Sequence, residues 1–170
     1  MKKTTNGFTI VELIIVVVVI AIIAAISVVA YSGIQVRAEN NKTTAAVSRT
    51  VKLLSMYKEL NGAYPNSGSR YACIGMGYQG DICAVSSTSV IAAEVNVSFN
   101  TALQSIGTMP NASTKNLTMD NGNVVAGASF ETGQRMIRYH LEGANQPCGI
   151  SGSTGPYTYG TVTQCRIVLP

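Results

Sequence analysis

From Phe8 to Val36 the chain carries a single charged side chain, Glu12. Leu13 to Ala30 is almost continuously apolar. A segment of that length can cross a hydrocarbon layer of about 30 Å as a helix. Its many Val and Ile residues do not argue for a strand, because a segment in lipid must satisfy its own backbone hydrogen bonds. The helical pattern continues past the apolar run. Between Arg37 and Leu60 there is neither Pro nor Gly. Ala46, Val47, Val51, Leu53, Leu54, Tyr57 and Leu60 recur at three- and four-residue steps, the signature of an amphipathic helix. Asn61-Gly62 supplies a stop, and Pro65 prevents resumption. The pattern predicts one helix over residues 8–61, with residues 13–33 in the membrane and Gly33 as the place for a bend.

The remaining residues, 62–170, predict an exported head. Residues 62–89 read as a loop rich in Gly, Ser, Tyr and Asn. Over 91–106 the spacing of Phe99, Leu103 and Ile106 predicts a short helix, although Val95 and Val97 also suit a strand. Asn121-Gly122 is a hairpin signal, with Val124–Ala126 and Ser129-Phe130 flanking or following it. Residues 135–142 alternate, with Ile137, Tyr139 and Leu141 on one face and Arg138, His140 and Glu142 on the other. That is a half-buried strand, and a last one fits Thr161 to Leu169. The sheet needs a cover, and the helical stripe from Val47 to Leu60 can provide it. The predicted class is α+β: a long N-terminal helix packed on an antiparallel sheet.

Composition sharpens this picture in two ways. Only 12% of residues are charged, so the head is polar but weakly charged, as suits exposure outside a cell or a dense array. The net charge of +4 includes Lys2 and Lys3, which lie ahead of the apolar run in a stretch that reads as a removable leader. Lys42, Arg49 and Lys52 share one stripe that reads as a solvated helix face, and a nucleic-acid role stays open. The four cysteines, Cys73, Cys83, Cys148 and Cys165, are an even set for an exported domain. Proximity favours Cys73 with Cys83 and Cys148 with Cys165. No pair has the short spacing of a zinc site.

No catalytic constellation or cofactor motif stands out. His140 is the sole histidine and reads as a surface residue. There is no phosphate-cradling loop and no paired carboxylate arrangement. The sequons at Asn41, Asn96, Asn111 and Asn116 fit chance in an Asn- and Thr-rich chain.

Glu12 remains to be explained. A charge in the middle of a spanning helix costs roughly 2.5–3.5 kcal/mol on insertion scales, less near its end. The stretch Gly7-Phe8-Thr9-Ile10-Val11-Glu12 resembles the processing motif of type IV pilins and pseudopilins. The resemblance covers about residues 1–65, including the "NGAYP" helix exit at 61–65. It implies a leader over residues 1–7, cleavage by a prepilin peptidase between Gly7 and Phe8, and N-methylation of Phe8. It also implies that Glu12, the fifth mature residue, pairs with the N-terminal amine of a neighbouring subunit during assembly. An unpaired charge in an apolar filament core is costly, so such a pair would reward correct register. Many pilins have a helix-breaking Pro in this segment, whereas this chain has Val29 at that position. Related pseudopilins often bind calcium late in the chain, but here no Asp follows Asp120.

The resemblance further implies a homo-oligomeric helical filament, an assembly platform, and a separate ATPase motor. The precursor would cross the cytoplasmic membrane once, with its N-terminus inside. Basic residues flank both sides of the span, but long domains translocate largely regardless of charge. The leading function is a structural subunit of a surface pilus serving adhesion, motility or DNA uptake. One alternative is a pseudopilin of a type II secretion or competence system. Another is a secreted or membrane-anchored binding protein, with Val28-Val29-Ala30 as a signal-peptidase site.

Overall fold

The structure, a computed structural model, describes residues 7–86 and 92–170, and only the backbone of residues 28–30. Leader residues 1–6, the end of the expected loop at 87–89 and the start of the expected helix at 91 lie outside the described residues. So do the side chains of the alternative cleavage site at 28–30. The chain divides into two compact units, residues 1–37 and 38–170. One helix, α1 (Ile10–Asn61), begins in the first and ends in the second.

In the first unit α1 is long and apolar enough to cross a membrane. Its described apolar side chains, such as Leu13, Ile20 and Ile26, are exposed. No other described residue of that unit covers them, which suits a surface that meets lipid or other helices.

In the second unit the rest of α1 buries Thr43, Ala46, Val47, Thr50, Leu53 and Leu54. This is the predicted stripe with two threonines added. The Thr50 hydroxyl donates to the Ala46 carbonyl at 2.9 Å, and Thr43 Oγ1 accepts the Ser113 amide at 3.2 Å. Burial with such bonds is inexpensive for a hydroxyl. Leu60, expected in the stripe, is 72% exposed in the last turn. Gly62, at φ +74°, then closes the helix by donating to the Lys58 carbonyl.

Nine strands among the described residues form one sheet. They are β1 (Tyr71–Cys73), β2 (Ile82–Val85), β3 (Ala92–Glu94), β4 (Leu117–Thr118), β5 (Val124–Val125), β6 (Ala128–Glu131), β7 (Met136–Glu142), β8 (Thr154–Tyr159) and β9 (Val162–Val168). The order is β4-β5-β2-β3-β1-β6-β7-β9-β8. Every pairing is antiparallel except β1 with β3. β4 and β5 flank Asn121-Gly122, the hairpin the sequence predicts. One face of the central strands presents Phe130, Ile137, Tyr139 and Leu141 to α1 and to α2 (Val97–Gln104). Phe99 of α2 stacks on Phe130 at 5.4 Å. Side chains of that size each contribute roughly 1.5–3 kcal/mol on burial. The sheet then curls, so that Met119 and Val125 at one end pack on Val162 near the other.

Three expectations need correction. The expected loop over 62–89 contains β1, β2 and a one-turn helix at Gln79–Asp81. The expected helix over 91–106 is shorter, because β3 precedes it and Asn96 caps its start by accepting the Phe99 amide at 2.8 Å. His140 is buried rather than exposed, because the curl covers the second face of β7 as well. β8 has no counterpart among the expected strands. The α+β class holds: a long N-terminal helix followed by a curled, mostly antiparallel sheet.

Candidate functional site

The predicted processing site lies just ahead of α1. Gly7 is exposed, and a Cβ built there meets nothing within 4 Å. The fold therefore gives no reason for glycine at this position. Phe8 is 81% exposed. Thr9 and Glu12 close a reciprocal cap on the first turn. The Thr9 amide and hydroxyl both donate to Glu12 Oε2, at 2.9 and 2.7 Å. The Glu12 amide donates back to Thr9 Oγ1 at 3.3 Å. This is a capping box, in which residues three apart satisfy amides that a helix start leaves without partners. Sequence reasoning missed Thr9, although Thr-x-x-Glu ahead of an apolar run is the legible signal. Among the described residues Glu12 has no cationic partner, and its Oε1 makes no hydrogen bond. The carboxylate thus holds the helix start through one oxygen, Oε2.

The four cysteines form two bonds in the head, Cys73–Cys83 and Cys148–Cys165, each with Cα atoms 5.7 Å apart. The first links β1 to β2 across the intervening β3. The second fastens the segment after β7 to β9. There the buried Tyr139 hydroxyl donates to the Cys148 carbonyl at 2.7 Å. Lys42, Arg49 and Lys52 are exposed on α1. Asn96, Asn111 and Asn116 have side chains engaged in hydrogen bonds, the first as the α2 cap.

A second cluster sits on the covered face of the sheet. Arg138 and His140 of β7 and Gln164 of β9 line a cavity of about 230 Å³. Gln164 Oε1 accepts from Arg166 Nε and Nη2, at 3.1 and 2.9 Å. That fixes the Gln164 amide so that its Nε2 faces His140 Nε2 at 3.1 Å. Imidazole must accept there, which places the proton of the neutral ring on Nδ1. Burial pushes the His140 pKa down to about 4, reinforced by Arg138 and Arg166 and opposed by the Gly127 carbonyl. Arg138 donates to buried Glu131 at 2.7 Å, and Arg70 meets the same carboxylate at 3.1 Å.

A long apolar N-terminal helix ahead of an antiparallel-rich sheet defines a pilin-like α+β protein. Residues 2–28 match the prokaryotic N-terminal methylation motif, which is the prepilin processing motif of type IV pilins. The match supports a prepilin of the pilin or pseudopilin type, and it implies processing by a prepilin peptidase and assembly into filaments. The motif and the apolar helix together suit a membrane-anchored precursor. No match to the chain was found among curated proteins or among solved structures.

Proposed function

We propose that the protein is a structural subunit of a type IV pilus-like surface filament and not an enzyme. The observation that carries this reading is the placement of the processing motif. Gly7-Phe8 stands immediately before an apolar helix whose first turn contains Glu12. The precursor waits in the membrane, is cut after Gly7, and polymerises through the apolar part of α1. Helices that carry Val, Ile and Ala pack against one another by van der Waals contact. Repetition of one head-to-tail contact that does not close yields a filament. In it the free oxygen of Glu12 meets the Phe8 amine of a neighbour. The heads lie outside the cell, where both cysteine pairs stay oxidised. A pseudopilus differs from this reading in filament length, and a long filament containing the chain decides for the pilus.

The test is the N-terminal residue of the mature protein from its native cell, read by peptide mass spectrometry. The expected start is Phe8 with one added methyl group. A start at Tyr31, or an intact Met1, overturns the proposal.

A further inference from the structure

The filament role makes no use of the cavity on the covered face of the sheet. Its walls are of two kinds. Ala84, Met119 and Val125 supply apolar lining, with Asn123 among them, while Ser129, Arg138 and His140 supply polar lining. At about 230 Å³ it exceeds the ~150 Å³ cavity that takes up benzene.

Charge around the polar wall is unbalanced. Arg138 and Arg166 face each other across β7 and β9, a cross-strand pairing of like charges that is ordinarily destabilising. Arg70 adds a third cation nearby, and Glu131 is the carboxylate that Arg70 and Arg138 share. Arg166 bonds to a neutral amide, not to an acid, among the described residues. Arg138 Nε is buried with no hydrogen-bond partner among the described residues, and His140 Nδ1 has only the Gly127 carbonyl beside it, outside good hydrogen-bonding geometry. A buried donor without an acceptor costs about 1–3 kcal/mol. Arg138 and His140 are two residues apart on one face of a strand, so their backbones are roughly 7 Å apart. An acceptor that is also an anion would answer both the unused Arg138 donor and the excess of positive charge, and would lie within reach of His140.

We propose that this cavity binds a small organic carboxylate, its anionic end at Arg138 and His140 and its compact apolar body against Ala84, Met119 and Val125. Arg166 strengthens the site by its field from behind Gln164. Because the cavity lies wholly within the head, the site does not depend on filament assembly.

The chain offers a clean probe, since His140 is its sole histidine. The full chain, carrying ¹³C-labelled histidine and held in lipid nanodiscs at neutral pH, is titrated with benzoate, with benzamide, and with chloride at matched ionic strength. The His140 ring signals are followed by NMR. The expected result is a saturable shift with benzoate and none with benzamide or chloride. Ala84→Leu, which fills the apolar side, should abolish the shift. Arg166→Gln, which leaves the Glu131 pairs intact, should weaken binding about tenfold and serves as the test if Ala84→Leu fails to fold. Absence of a saturable benzoate shift overturns the proposal and leaves a water-filled cavity. An equal response to benzamide or chloride overturns it too, as does benzoate binding unaltered in the folded variants.

Discussion

The side-chain amide of Asn40 occupies both backbone groups of Glu142. Asn40 Nδ2 donates to the Glu142 carbonyl at 2.9 Å, and the Glu142 amide donates to Asn40 Oδ1 at 2.8 Å. The two residues are 102 positions apart, and the amide imitates a neighbouring strand beyond the end of β6. Asn40→Ala is expected to cost about 1–2 kcal/mol, since two part-buried backbone groups lose their partner. The check is amide hydrogen exchange. The Glu142 amide should exchange faster in the variant, while the amide of Tyr139 stays protected.

At the N-terminus, charge and capping can be separated. Glu12→Gln keeps a side chain that can close the capping box but removes the charge. Thr9→Val keeps the charge and removes the hydroxyl. If Glu12 acts in assembly through its charge, Glu12→Gln should yield processed, membrane-held subunits with few or no filaments. Thr9→Val should still assemble. Electron microscopy of cells, with mass spectrometry of the mature N-terminus, reads both outcomes.

Acid should weaken the head through His140. Its folded pKa of about 4 lies below the usual value of 6.5, so between these values the unfolded chain binds more protons than the folded one. Stability therefore falls as pH drops from 6.5 to 4, by about 3 kcal/mol from this group. Carboxylates titrate in the same range, so the informative quantity is the difference between wild type and His140→Gln. The variant should show a shallower loss of melting temperature over that window.

Removal of either disulfide should destabilise the head. The bridges close segments of 10 and 17 residues, and loops of that length are worth about 3 kcal/mol each by chain entropy. Cys148→Ser with Cys165→Ser should have the larger effect, because its loop is longer and Tyr139 is anchored on Cys148. Thermal unfolding of the two double variants ranks them.

The long, strongly periodic elements were legible in the sequence. α1 and the Ile137–Tyr139–Leu141 face of β7 follow from pattern alone, as does the Asn121-Gly122 turn. The missed strands are short or atypical. β1 has three residues and finds its antiparallel partner in β6, where Tyr71 faces Glu131. No local alternation announces such a pairing. β8 contains Gly155 and Pro156, residues depleted in strands. His140 was misplaced because alternation separates two faces but does not say whether the second is covered. Only the curl that brings Met119 and Val125 towards Val162 covers it. For the processing site, the motif around Gly7 and Glu12 is readable, whereas the capping role of Thr9 follows from Thr-x-x-Glu only once the helix is known to start at Ile10.

The two rims of the sheet carry a further consequence. β4 is only two residues long, and β8 is exposed, loses one amide donor to Pro156, and slips register between Thr154 and Tyr157. Neither rim offers a full ladder of free donors and acceptors to a strand from another molecule. In the proposed filament, heads crowded side by side would otherwise be a template for runaway strand exchange. With both rims blunted, heads in such a filament could touch without fusing their sheets, which would leave the order of the array to the helices.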